Sequence, residues 1–285
     1  MVYETPLQLR TALEARLQNA SRERGVRLDR LRSQAVFERI LVRLDVAQPG
    51  VWILKGGTAL ELRLRDRART TRDLDLARRH TDANGDGLRD LLIGLLANDP
   101  DGDRFRFEVG PAVPVAPGEL GRRGWRFLIV AQLVREFARV RVDIVQHADE
   151  ITATERLELP GALAFAGIAT RTVEAVAPAQ VFAEKLHALT RSYATENSRV
   201  RDLIDLVLII EDGLRREGVL AVTRHVFAAR ATHDLPKSIP SLPAFWDEPY
   251  AVMASELTVN ARSVAAARAL VDEFWKDVLR EVWER

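Results

Sequence analysis

Two periodicities divide this chain. Leu7, Leu9, Leu13 and Leu17, then Leu28, Leu31, Val36, Ile40 and Leu44, recur at roughly helical spacing, which predicts helices over 7–46. Pro49-Gly50 breaks the pattern. Val51–Leu54 is a short apolar run that predicts a buried strand, Gly56-Gly57 turns the chain, and Leu60, Leu62 and Leu64 predict a helix over Thr58–Arg67. Arg72–Ala77 reads as the next strand, and a polar loop, Arg78–Gly87, leads into a helix at about 87–97. Strands are expected near 104–109, 125–132 and 138–146; in the last, Ala138, Val140, Val142 and Ile144 alternate with Arg139, Arg141, Asp143 and Val145. Beyond Pro178 helical spacing dominates, over 178–194, 199–211, 214–231 and 260–283, and the Pro-rich "LPKSIPSLPAFWDEP" between the last two reads as an ordered loop or a lid. The pattern predicts an α/β (α+β) N-terminal part and a helical C-terminal part, with a boundary in 160–178.

Composition narrows the class. The chain has 285 residues, 47% hydrophobic and 29% charged, a globular balance able to bury a core. It has no apolar run long enough to span a bilayer, and its first residues, "MVYETPLQLRTALEARL", lack the apolar core of a signal peptide. There is no cysteine, hence no disulfide framework and no thiolate chemistry. These features favour the cytoplasm and no membrane partner. The net charge of +1 is uninformative, but residues 1–80 carry 17 Lys and Arg against 10 Asp and Glu, an excess of 7. Such a region attracts nucleic acid or phosphates, or is the solvated face of an arginine-rich chain.

Candidate chemistry lies in "KGGTALELRLRDRARTTRDLDL", Lys55 to Leu76. Side chains alternate along a strand, so Asp73 and Asp75 share one face while Leu74 and Leu76 take the other. Two adjacent carboxylates repel unless a cation compensates, and carboxylate oxygens suit Mg²⁺ held together with substrate phosphates. An idle Asp-X-Asp on a solvent-facing strand edge is the competing reading. Gly56-Gly57-Thr58 upstream follows a strand and opens a helix, where close backbone approach and free N–H groups make an anion site. "RVRVDIV" adds Asp143 on a later strand, and a third carboxylate would let two metals bridge an attacking hydroxyl and a leaving pyrophosphate. "DANGDG", from Asp82, imitates a calcium loop, but its twelfth position is Ile93 and cannot close one. The five histidines, His80, His147, His187, His225 and His233, show no metal-ligand spacing.

"GGTALELRLRDRARTTRDLDL", "VDI", "AEKLHAL" and "RVRDLIDL", in this order over about 55–210, resemble the AbiEii family of nucleotidyltransferase toxins, part of the DNA polymerase β-like nucleotidyltransferase superfamily. Gly56, Gly57, Asp73 and Asp75 match its first motif, Asp143 the superfamily's third metal-binding carboxylate, Lys185 a helix motif, and Arg199, Arg201 and Asp202 a downstream helix start. Thr71 stands where the family often has Ser, and keeps a hydroxyl. The resemblance implies a polymerase β-like core with a mixed sheet and N-terminal helices over 1–165, and a helical domain over 166–285 completing the active-site cleft. It implies transfer of a nucleoside monophosphate from an NTP to an acceptor hydroxyl. Asp73, Asp75 and Asp143 would bind Mg²⁺ or Mn²⁺. Gly56, Gly57, Thr58, Thr71, Lys185, Arg199 and Arg201 would bind the NTP, and Asp202 would orient Lys185 or the nucleotide. Asp205, three residues on, reads as structural. Relatives are toxins with a cognate antitoxin, some modifying the tRNA acceptor end and so blocking translation, others acting in phage defence. A nucleotidyltransferase acting on protein or a small molecule, and an NTP-binding signalling module, are the alternatives.

Overall fold

Thr5 and Gln8 build the first helix start. The Thr5 hydroxyl accepts from the Gln8 amide while the Gln8 side chain accepts from that of Thr5, with Pro6 next to the cap, where a missing N–H costs nothing. Helix α1 (Pro6–Arg24) ends on Gly25 at φ 65°, and α2 (Leu28–Ala47) follows, so the predicted 7–46 stretch is two helices. In this computed structural model residues 3–69, 71–79, 83–115, 124–146, 148–193 and 199–280 are described. Strand β1 (Trp52–Lys55) passes without a loop into α3 (Gly56–Leu64), which begins at the glycine pair, two residues before the predicted Thr58. Then come β2 (Asp73–Arg78), α4 (Gly85–Ala97), β3 (Arg106–Val109), β4 (Val113–Val115), β5 (Gly124–Leu133), β6 (Arg135–Gln146), β7 (Thr154–Glu158) and β8 (Thr172–Val176). The helices α5 (Pro178–Thr190), α6 (Val200–Glu211), α7 (Val219–Arg230), α8 (Asp247–Glu256) and α9 (Val264–Arg280) complete the chain.

The expected mixed α/β architecture with helices at the C-terminal end is present. Among the described residues the strands form one mixed sheet in the order β3-β5-β6-β2-β1-β8-β7, with β4 beside β5. Strand β2 runs antiparallel to β1 and parallel to β6, and β6 antiparallel to β5. Three short strands, β4, β7 and β8, and helix α8 escaped the pattern analysis. Strand β4 has one buried residue and β7 none, so neither shows an apolar face. Helix α8 starts inside the Pro-rich segment, where Pro249 falls in the first turn and breaks no internal hydrogen bond. The rest of that segment is an ordered loop pinned to α9: Trp275 Nε1 donates to Pro236 O (2.7 Å), Arg268 to Ile239 O (2.6 Å), and Asp272 accepts from the Ile239 amide (2.7 Å).

Two compact units result, one from Met1–Thr58, Thr71–Ala148 and Arg156–Ala175, the other from Ala59–Thr70, Asp149–Glu155 and Val176–Arg285. In the first, Leu74, Leu76, Val142, Ile144, Phe127 and Ile129 are fully buried, and α2 packs on β6. Each such side chain contributes about 1.5–3 kcal/mol by leaving water. The arginine excess of the N-terminal region is partly internal to this unit. Arg43 grips Asp103 through two 2.6 Å bonds with both groups fully buried, Arg32 pairs with Glu14, and Arg10 donates to three backbone carbonyls of 133–136. The second unit is built on Phe182, Phe274 and Trp275 and the buried apolar face of α6.

Candidate active site

The two parallel strands β2 and β6 are in register so that Asp73 stands opposite Arg141 and Asp75 opposite Asp143. Across β1, Lys55 is opposite Asp75, and across β5, Arg126 is opposite Asp143. One row of the sheet therefore reads Lys55, Asp75, Asp143, Arg126 over four neighbouring strands. Arg126 holds both oxygens of Asp143, Nε to Oδ1 at 2.8 Å and NH2 to Oδ2 at 2.7 Å. Asp73 Oδ1 lies 2.9 Å from Arg141 Nε as an ion pair, outside hydrogen-bond angles.

Gly56 explains why the strand passes straight into a helix at this place. Its φ is 62°, and a Cβ on it would lie 1.8 Å from Asp75 Oδ2. Only glycine accepts that backbone at no steric cost and leaves room for the carboxylate. Thus the Asp-X-Asp and the glycine pair, nineteen residues apart from Gly56 to Asp75, are in direct contact. Gly57 is buried in the first turn of α3. The hydroxyls of Thr58 (3.0 Å) and Thr71 (3.3 Å) both donate to the Asp73 carbonyl, fixing the start of β2.

The donor set fits a hard divalent cation. Asp73 and Asp75 share a face, Asp73 Oδ1 is buried without a hydrogen bond, and one or two carboxylates plus substrate phosphates suffice for Mg²⁺. Asp143 is the neighbour of Asp75, with Arg126 on both its oxygens. Among the described residues no three His, Cys, Asp or Glu side chains form a ready metal cage.

The second unit holds the other sequence-predicted residues. Lys185 on α5 reaches Asp202 (3.0 Å) and Asp205 (2.6 Å) on α6, Arg69 holds Asp205 through two 2.9 Å bonds, and Arg199 lies 3.3 Å from Asp202. Burial opposes the Lys185 ammonium, but the charges of Asp205 and Asp202 outweigh it, against a smaller effect of Arg69, and its pKa stands above the ordinary lysine value. Burial likewise opposes the Asp202 carboxylate, yet Lys185 and Arg199 hold it below the usual range. Arg201 is exposed. Ser198, the expected cap before Asp202, lies outside the described residues, as do His80, His147 and Asp82 of the calcium-like segment.

Sequence reasoning missed several of these groups. Asp205, read as structural, is completely buried, in keeping with that reading; its pairing with both Lys185 and Arg69 was what the sequence did not show. Its three-residue spacing from Asp202 was the available signal. Arg141 was legible as a face-mate of Asp143; Arg126 was not, because strand register is not local. The structure also joins two histidines that the spacing had set apart. His187 and His233 are bridged by Thr232 Oγ1 at 2.8 and 3.0 Å, with Arg230 3.4 Å from His187 Nδ1 and Thr190 2.9 Å from His233 Nε2. An arginine only donates, so His187 accepts at Nδ1 and donates from Nε2 to Thr232 Oγ1, whose hydroxyl in turn donates to His233 Nδ1. Burial first, then the charge of Arg230, pushes the His187 pKa down to about 3.

Paired strand carboxylates thus lie against a glycine turn that opens a helix, on a mixed α/β sheet. The chain belongs to the AbiEii nucleotidyltransferase toxin family: the family model "Nucleotidyl transferase AbiEii toxin, Type IV TA system" matches residues 39–279. Membership implies an NTP substrate and an antitoxin partner. Among solved structures, the chain is similar to a protein from H. pylori assigned as a nucleotidyltransferase, at 13% identity over 86% of this chain and 96% of that one, TM-score 0.41. It is also similar to JHP933 from Helicobacter pylori, at 13% identity over 87% and 94%, TM-score 0.40. No curated protein matches the chain. Among the described residues no helix is long and apolar enough to cross a membrane.

Proposed function

We propose that the protein is a metal-dependent nucleotidyltransferase toxin that transfers a nucleoside monophosphate from an NTP to the 3′ acceptor end of tRNA and so blocks translation, with arrest of an infected cell as the defensive outcome. The observation that carries the transfer reading is the seating of the Asp75 carboxylate against Gly56. It joins an acid pair to an anion-binding helix start, the two parts a metal–triphosphate needs. Asp73 and Asp75 would hold Mg²⁺ or Mn²⁺, with Asp143 as the third carboxylate. A divalent ion there supplies charge neutralisation for the phosphates and acidifies the acceptor hydroxyl.

The chain's own groups have definite tasks in this reading. The backbone N–H groups of Gly56, Gly57 and Thr58 point the start of α3 at the triphosphate. Thr58 and Thr71 keep Asp73 in place through its carbonyl. The acceptor oxygen attacks the α-phosphorus, the bond to the β-phosphate oxygen breaks, pyrophosphate leaves, and the hydroxyl proton passes to a carboxylate or to water. Lys185 is the compact positive charge for the β- or γ-phosphate, oriented by Asp202. Arg199 and Arg201 are further phosphate-binding groups. The tRNA acceptor rests on the family resemblance, with support from the N-terminal arginine excess.

The test is incubation with Mg²⁺, total tRNA and each α-³²P-labelled NTP, beside Asp75→Ala. Label entering tRNA from one NTP, absent in the variant, is expected and names the donor. Label in protein, or none in RNA with every NTP, removes the tRNA assignment.

A further inference from the structure

Each of the three carboxylates on the β2–β6 face stands beside a cation: Asp73 with Arg141, Asp143 with Arg126, and Asp75 opposite Lys55 in register. The row is balanced by the protein itself. A divalent ion entering alone meets carboxylates whose charge is already compensated, and it is repelled by the guanidinium groups beside them. A triphosphate changes this balance, because it brings its own negative charge and oxygens that match a guanidinium fork.

We propose that Arg126 and Arg141 are resident counter-cations of the acid row, which release Asp143 and Asp73 and move to phosphate oxygens when a divalent ion and the triphosphate arrive together. They bind the substrate's phosphates directly in that state, and they make tight binding of the ion depend on the nucleotide. The inference rests on the nucleotidyltransferase reading for the identity of the ligand.

Geometry separates these pairs from purely structural ones. Asp143 is 3% exposed, so it needs a cation at all times, and losing Arg126 without replacement would strand a buried charge. Its partner is not shut in: the Arg126 side chain is 29% exposed and that of Arg141 46%. Arg43 and Asp103 in the same unit form an equally bidentate pair with both side chains at 0%, closed to any ligand. Arg126 and Arg141 can thus be reached by a ligand from the acid row, and Arg43 cannot.

The experiment measures Mn²⁺ binding to the full-length protein by loss of the free-ion EPR signal, for Mn²⁺ alone and with each α,β-methylene NTP, whose bridge cannot be cleaved. Wild type should bind Mn²⁺ at least about tenfold more tightly with one analogue than without. R126Q and R141Q should each bind Mn²⁺ alone at least about tenfold more tightly than wild type and lose most of the nucleotide-dependent gain. A thermal melt checks folding, and if R126Q does not fold, R141Q at the exposed arginine decides. The inference is overturned if wild type binds Mn²⁺ equally tightly with and without every analogue, or if the folded variants bind it no more tightly than wild type. Absence of Mn²⁺ binding by all proteins with all analogues would instead overturn the nucleotidyltransferase reading, and the inference with it.

Discussion

Two charged constellations serve this protein, and they are built differently. In the first unit Asp73, Asp75 and Asp143 lie on neighbouring strands, and the arginines beside Asp73 and Asp143 are partly open to water. In the second, Lys185, Arg69 and Arg199 converge on Asp202 and Asp205 between helices, around a carboxylate with no exposure at all. Both are balanced sets of opposite charges. A pair with a solvent-facing partner can exchange that partner for a ligand at modest cost, whereas a pair buried on both sides cannot, since removing one member leaves the other unsolvated. The sheet row is suited to exchange and the helix network to holding Lys185 in place.

Substitutions should divide along that line. Asp75→Ala is expected to lower nucleotidyl transfer by about 10³-fold or more, with a smaller shift of the urea midpoint than loss of a core contact, because on the proposed reading the site loses a carboxylate that holds the metal. Retained labelling of the acceptor would end the distinction. Asp205→Ala should do the opposite in kind and destabilise by about 3–5 kcal/mol, since Lys185 and Arg69 lose their shared buried partner. A denaturant curve shifted by less than 1 kcal/mol would mean the network is not structural. Gly56→Ala should cost about 1–3 kcal/mol through its left-handed φ and also displace Asp75, so stability and transfer fall together. Wild-type transfer by a folded Gly56→Ala would separate the glycine from the site. Thr58→Val should cost about 0.5–1.5 kcal/mol, the worth of its bond to the Asp73 carbonyl, in the same denaturant assay.

A separate effect concerns pH. His187 is neutral in the folded chain down to about pH 3, below its ordinary value of 6.5, so the unfolded chain binds the proton first. Its contribution is constant above pH 6.5, and stability is lost as pH falls from there toward 3. His187→Asn should flatten the stability profile between pH 4 and 6.5. A slope equal to that of wild type would assign acid sensitivity elsewhere.

Much of the fold was legible because long periodic segments announce themselves. The alternation of Leu74 and Leu76 with Asp73 and Asp75 is enough to show which face of β2 is buried, and the glycine pair marks the start of α3. Helix α8, hidden by proline, and strands β4, β7 and β8 were not legible, since their stability comes largely from neighbours. The candidate site was read from its acids more fully than from its bases. In a chain with 38 arginines, nothing local marks Arg126 or Arg69 as different from the rest.

The sequence by itself determined that Asp73 and Asp75 share a face, that a helix opens at a glycine pair upstream, and that the order of motifs is that of a nucleotidyltransferase toxin. These are local properties, set by strand alternation and by the conformational freedom of glycine. Only the tertiary structure decided that Asp75 rests on Gly56, that Asp143 is its neighbour with Arg126 on both oxygens, that Asp205 is the hub for Lys185, and that His187 meets His233. Each joins residues that are distant along the chain. Their pairing depends on strand register and helix packing, which the burial of whole faces selects and no short stretch of sequence encodes.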